Sequence, residues 1–210
     1  MDIIKTEVFG WEAAFRGLRN PMNSHAKADS YYDNGNYVIG QNDMDLAKRI
    51  INGGAEERKF LRMIHVQCDI NMPRYWWSEA DTYHFNTKNS TSTMHKLLNN
   101  KNPITLDMFV YCIEDEDIAT IVVARLEELR QKFRNTKNGH EQIYLLLRAK
   151  RILMEGFLQL RTWDSNYEEV WNMYKQRCHH RLKEEWQDTF CKWAESLPYF
   201  KEFFLEANNE

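Results

Sequence analysis

From Ile64 to Ile70 apolar and polar positions alternate: Ile64, Val66, Cys68 and Ile70 are apolar, whereas His65, Gln67 and Asp69 are polar. A period of two is that of a strand with one buried face, so this run predicts a half-buried strand. The stretch then passes through Pro73-Arg74-Tyr75-Trp76-Trp77 to Asn89-Ser90-Thr91-Ser92-Thr93. That hydroxyl-rich segment reads as a loop that satisfies its own backbone poorly unless something docks on it. Ile64 to Leu97 is therefore where function is sought. Upstream, Ile3-Ile4 and Val8-Phe9 predict a short opening strand, and Trp11 to Leu18 a helix that Arg19-Asn20-Pro21 breaks. Ser24 to Asn42 is polar and rich in Asp, Asn, Gly and Tyr, a loop placed to cover a site, with at most a short strand at Tyr37 to Ile39. Asp43 is expected to cap a helix from Met44 to Asn52, which Gly53-Gly54 stops.

Downstream the spacing becomes helical. Between Asp107 and Phe133, the residues Ile118, Ile121, Val122, Leu126, Leu129 and Phe133 recur three and four apart. Arg130 to Asn138 reads as a solvated basic stretch. A second helix is expected from Gln142 to about Leu160, loosened at its far end by Gly156, and a third from Ser165 to Ala194 with a break. Strands first and helices afterwards define an α+β protein, a central antiparallel or mixed sheet with a helical layer. Residues 1–210 are expected to form a single domain.

Charge and cysteine content narrow the function classes. With 28 Lys+Arg against 31 Asp+Glu the formal charge is −3, so no global positive field attracts nucleic acid or an anionic membrane. No apolar stretch reaches the roughly 20 residues of a membrane span. MDIIKTEVFG shows no basic segment followed by an apolar one, so a cytoplasmic location is expected. Cys68, Cys112, Cys178 and Cys191 are widely spaced and read as buried thiols, and the adjacent His179-His180 point about 100° apart on a helix, so no metal site is expected. Glu114 to Asp117 reads as a solvated helix start. No phosphate-binding glycine loop and no nucleophile elbow is present. On one continuous helix Asn166 and Arg177, eleven residues apart, share a face about 16 Å apart. An amide and a guanidinium on one stripe can read the edge of a heterocycle, or stand simply solvated.

Two of these stretches resemble the flavin-dependent thymidylate synthases. His65-Val66, Ile70 and Pro73-Arg74-Tyr75-Trp76 are similar to that family's H-V/I-K-A-P-I-F-V-A-R-Q-W. Trp163, Asn166, Asn172 and Arg177 match in order its W-T-x-N-x-R-S-L-x-N-F-L-x-L-R helix. Arg19 is similar to the arginine of an early A-R-V-S segment, and Arg148 or Arg151 to a phosphate-contacting arginine. The resemblance implies a thymidylate synthase-like fold that binds dUMP or a related pyrimidine nucleotide. It further implies transfer of a one-carbon unit to the base with FAD, methylenetetrahydrofolate and NADPH, and a cytoplasmic homotetramer whose sites join several subunits, bringing Arg177 and the 74 to 96 patch together across an interface. The residues it puts against substrate are Arg74, Ser90, Ser92, Arg151 and Arg177, and Glu79, where the chain departs from the family, is added as an acceptor for a base N–H. Those it puts against cofactor are His65, Trp76, Asn166 and Asn172, and it assigns neither a catalytic residue nor a metal.

The family's R-H-R-x-x-S-x-N-x-x-S-x-R motif begins where this chain has Ser78-Glu79-Ala80, so three basic residues become none. Lys88, His95 and Lys96 are nearby substitutes, and Glu168 stands at the first arginine of the helix motif. The alternative reading is a non-catalytic nucleotide binder on the same fold. In it Trp76, Trp77 and Tyr83 stack on the base while Ser90, Thr91 and Ser92 hold the phosphate.

Overall fold

The alternation from Ile64 onward builds a nine-residue strand, His65–Pro73, in which Val66, Cys68, Ile70 and Met72 are buried and the residues between them face partly outward. The computed structural model describes residues 1–206; the last four residues of the domain expected from the sequence lie outside them. In chain order the elements are β1 (Asp2–Phe9), α1 (Trp11–Arg19), β2 (Tyr31–Asp33), β3 (Asn36–Val38), α2 (Gln41–Gly53), β4 (His65–Pro73), α3 (Arg74–Ala80) and β5 (Thr87–Ser90). There follow α4 (Thr93–Lys96), α5 (Glu116–Asn135), α6 (Gly139–Ile152), β6 (Leu158–Asn166), α7 (Tyr167–Arg177), a π-helix (Lys183–Cys191), α8 (Lys192–Glu195) and α9 (Phe200–Phe204). A four-stranded sheet runs in the order β1-β4-β6-β5, and β2 and β3 form an antiparallel hairpin. This is the α+β class expected. Among the described residues no helix is long and apolar enough to cross a membrane.

The chain divides into two compact units. One gathers Met1–Asp2, Ile70–Thr82 and Asn89–Arg161; the other gathers Ile3–Asp69, Tyr83–Lys88 and the stretch from Thr162 onward.

In the first unit α5 packs on α6 around Leu126, Leu129, Leu145 and Ala149. α5 starts at Glu116 rather than near Asp107, because the segment before it runs extended: Phe109 bridges Phe157, and Val110 N donates to Gly156 O at 2.8 Å. A Cβ on Gly156 would meet Val110 O, so this glycine admits a close backbone approach and does not loosen a helix. The buried stripe of α5 is Ala119, Val123, Leu126 and Leu129, whereas Ile118 and Ile121 point outward. Arg130 is not solvated. Its Nε and Nη2 each donate to Glu127 at 2.7 Å, and its Nη1 donates to Asn100 O at 2.8 Å.

The second unit has an aromatic core in which Trp11 meets Tyr167 edge-on at 5.2 Å and Phe15 meets Phe60 at 5.9 Å. The 24 to 42 segment holds two strands, with Tyr32 opposite Tyr37, closed by Asn34-Gly35 at φ 47° and 84°. Two positive φ values mark the Asn-Gly hairpin turn, a signal legible in the sequence and given there to a single strand. Asp43 does not cap α2. The helix begins two residues earlier, and Asp29 takes the cap role from a distance, accepting from Asn42 N at 2.8 Å and Asp43 N at 3.0 Å. Asp43 is buried and accepts from Arg19 Nε (2.7 Å), Ser30 Oγ (2.6 Å) and Ser30 N (3.0 Å). Cys68 and Cys191 are buried free thiols, as expected, but Cys112 is exposed and Cys178 half-buried.

Candidate functional site

The candidate residues from Thr162 onward depend on how β6 becomes α7. Leu158–Asn166 is a strand, where the sequence reading placed the end of one helix and the start of another. Its Leu-Gln-Leu-Arg alternation was available, but read as a continuation of the apolar spacing before it. Asn166 is extended (φ −142°, ψ 166°) and its Oδ1 accepts from Glu169 N at 3.0 Å, so it caps α7 instead of sharing a helix stripe with Arg177. The helical stretch expected from Ser165 to Ala194 is broken: α7 ends at Arg177, and a π-helix runs from Lys183 to Cys191 before α8.

Arg177 is held by rings and hydrogen bonds. Its guanidinium carbon lies 5.6 Å from the Tyr83 ring centroid and 4.7 Å from that of Trp186, on the π-helix. Its Nε donates to Tyr83 Oη at 3.0 Å, Tyr83 Oη donates to Gln176 Oε1 at 3.0 Å, and Gln176 Nε2 donates to Asn172 Oδ1 at 3.2 Å. The expected residues Arg177 and Asn172 thus belong to one polarised chain, which Tyr83, Gln176 and Trp186 complete. Nothing in the sequence spacing could tie Tyr83 to residues more than ninety positions away. Asn166 approaches the same 83 to 86 segment: its Nδ2 donates to Phe85 O at 3.5 Å, and Ser165 Oγ donates there at 3.2 Å. His65 stacks on Phe9 with centroids 5.4 Å apart and sets Nδ1 3.3 Å from Asp164 Oδ1, its side chain 43% exposed. Glu168 is paired with Arg58 at 3.0 Å.

This unit also holds a cavity of about 780 Å³ between α1, α2 and the turn before β4, lined by Leu18, Met22, Leu46, Ile50, Phe60 and Met63 among others. Its size suits a small ligand. Its residues come from three separate stretches, which the sequence does not mark as lining of one cavity.

The other unit contains Arg74, Trp76, Glu79, Ser90, Ser92 and Arg151. Arg74 opens α3, donates its backbone N–H to Phe157 O at 3.1 Å and pairs with Glu155 at 3.1 Å. Trp76 and Trp77 are each 1% exposed and meet edge to face at 4.8 Å. Trp77 Nε1 donates to Gln159 O at 2.9 Å. These rings are buried in the core of this unit. Tyr83 is buried too, under Arg177. Glu79 lies half-buried on α3. Arg161 grips Asp81 through two contacts of 3.0 and 3.1 Å and covers Trp77 at 4.2 Å. Ser90 ends β5 exposed, and Ser92 Oγ accepts from His95 N at 3.2 Å to cap α4.

Arg151 is exposed, but its neighbour Lys150 turns inward. Lys150 Nζ donates to Thr93 Oγ1 at 2.6 Å; burial, and then the positive charge of Arg74, push its ammonium below the ordinary lysine range. Arg74, Lys150 and Thr93 form the cationic and hydroxyl-bearing group of this unit. A small cavity of about 80 Å³ adjoins it, lined by Ser92, Thr93, Lys96 and Asn100. The resemblance offers Arg148 or Arg151; a turn of about 100° per residue on a helix separates them from Lys150, which faces in.

No protein-family model matches the chain, and no curated protein does. Solved structures do match. The chain is similar over its whole length to the flavin dependent thymidylate synthase ThyX from Helicobacter pylori complexed with FAD and dUMP, at 19% identity and a TM-score of 0.70, with 99% of each chain covered. A second structure of that enzyme with FAD and dUMP gives 18% identity and a TM-score of 0.68, with 100% of each chain covered. The fold is that of the flavin-dependent thymidylate synthases.

Proposed function

We propose that this chain binds a pyrimidine nucleotide, dUMP or a close relative, and with FAD and a folate donor transfers a one-carbon unit to its base. The full-length fold likeness carries the reading. The side chains support the nucleotide part: Lys150, Arg74 and Thr93 offer charge and hydroxyl donors to a phosphate, and Arg177 offers a rigid donor fork to a ring edge or an anion. In this reading Tyr83 and Trp186 fix the Arg177 guanidinium before ligand arrives, which lowers the ordering cost of binding. The exposed Ile121, Ile143 and Tyr144 on α5 and α6 suit a second copy of the chain, in keeping with a homo-oligomer.

The residues do not fit FAD in the way the family motif holds it. Ser78, Glu79 and Ala80 supply no cation, and Arg161 is engaged by Asp81. This observation favours a second reading, a nucleotide-binding protein on the same fold that works without flavin. When bound, FAD would supply the hydride chemistry; the chain's own residues supply binding and orientation.

Purification and titration separate the two. The enzyme reading expects a yellow protein whose released flavin is identified by mass spectrometry, a rise in Tm with dUMP, and product formed from dUMP and methylenetetrahydrofolate. A colourless protein that dUMP stabilises and that forms no product establishes the second reading. A protein that neither takes up FAD nor is stabilised by dUMP sinks both. At a hundred times Kd, ligand adds about 2.7 kcal/mol to stability, enough for a shift of several degrees.

A further inference from the structure

The 24 to 42 segment, read from sequence as cover for a site, forms one wall of a cavity of about 490 Å³ that plays no part in the proposed function. Five aromatic side chains line it: Phe9 at the end of β1, Trp11 at the start of α1, Tyr32 and Tyr37 on the hairpin, and Tyr199 before α9. Glu202 is the single charged lining residue, half-buried, and no Lys or Arg among the described residues forms an ion pair with it.

The rings stand in two orientations nearly at right angles. Trp11 and Tyr37 are close to parallel, 11° apart with centroids at 6.4 Å. Tyr199 stands at 77° to Trp11, and Tyr32 at 74° to Tyr37. Tyr199 is held in the left-handed region, φ 59°, a conformation a bulky residue adopts only when its surroundings enforce it. They do so here. Ile39 N donates to Tyr199 Oη at 3.3 Å, and Tyr199 Oη donates to Tyr37 O at 3.0 Å, which ties this ring to the hairpin. Gly10, at φ 92°, takes the turn between Phe9 and Trp11 where a Cβ would strike Met63 O. Phe9 and Tyr32 remain 42% and 55% exposed at the mouth. Aromatic faces set at right angles beside one carboxylate form the arrangement that binds a weakly hydrated cation, whose charge the ring quadrupoles attract.

We propose that this cavity binds an organic cation bearing an alkylated ammonium group, held against Trp11, Tyr32, Tyr37 and Tyr199 with Glu202 as its counter-charge. Inorganic cations lose too much hydration to enter such a site, and a neutral ligand gains nothing from Glu202. The site is independent of the nucleotide reading.

The test is titration of the full chain with tetramethylammonium chloride at constant ionic strength, followed by ligand-observed NMR. Saturable binding is expected, with tert-butanol, similar in bulk and uncharged, binding at least tenfold more weakly. Tyr32→Ala and Glu202→Gln should each weaken tetramethylammonium at least fivefold, and Tyr31→Ala, outside the cavity, should leave it unchanged. Unaltered circular dichroism of the variants establishes that the loss is local; if Glu202→Gln does not fold, Glu202→Asp takes its place and is expected to retain binding within a fewfold. Absence of saturable binding, equal binding of tert-butanol, full affinity in Tyr32→Ala, or full affinity in a folded Glu202→Gln overturns the proposal.

Discussion

Glu127 is held well below the ordinary carboxylate range, at about 2, first by the hydrogen bonds from Arg130 and, against the opposing effect of burial, by Ile104 N and Gln131. A depressed pKa contributes stability that is present above the unfolded value near 4.5 and is lost as pH falls toward 2. Glu127→Gln should therefore cost about 1–2 kcal/mol at neutral pH, and little at pH 2 where the native pair is itself being protonated. Urea denaturation at the two pH values measures the difference. Asp43 acts in the same direction: burial raises its pKa, but hydrogen bonds from Ser30, Arg19 and the backbone outweigh it and leave it lowered. Its partner Arg19 is buried with it, so Asp43→Asn leaves an uncompensated charge and should destabilise by about 3 kcal/mol or more. At the candidate site the hydroxyl of Tyr83 both accepts from Arg177 and donates to Gln176. Tyr83→Phe is expected to weaken nucleotide binding about tenfold, or about 1.4 kcal/mol, by removing one of the hydrogen bonds that orient the guanidinium while its ring contacts persist. Calorimetric titration with dUMP reads this, and unchanged affinity would remove Tyr83 from the site.

Among the elements, β4 was legible because one buried face writes a period of two into the sequence. α1 was legible because Trp11, Ala14, Phe15 and Leu18 write a period near 3.6. β6 was not, since Leu158 and Leu160 extend the apolar spacing of α6 and only the turn at Gly156 separates them. The same loss of boundary hid the role of Asn166, which a stripe argument put on a helix and which the structure makes its cap. Asn166→Ala is accordingly expected to cost about 1 kcal/mol, measured by chemical denaturation, whereas an exposed α7 position such as Lys175 mutated to Ala should cost a few tenths. Arg130 shows a second kind of failure: a basic run looks solvated by composition, yet Glu127 one turn earlier and the Asn100 carbonyl draw one member inside. Sequence order cannot show which of several adjacent cations, Arg148, Lys150 or Arg151, a tertiary partner will select.

At the scale of the whole molecule the unexplained surface is apolar. Ile118, Ile121, Ile143, Tyr144 and Leu147 lie exposed on α5 and α6. If a second copy covers them, Ile121→Glu combined with Leu147→Glu should convert an oligomer into monomers, read as mass by light scattering; a wild-type monomer would refute the assembly. The four thiols carry a separate consequence. Burial pushes Cys68 and Cys191 up to about 12, whereas Cys112 lies open. Since only an accessible thiolate alkylates, iodoacetamide would reach the exposed Cys112 first and Cys68 and Cys191 only during opening events. The protein therefore carries its own chemical clock for opening of the unit from Thr162 onward and its β4 segment, needing no engineered site.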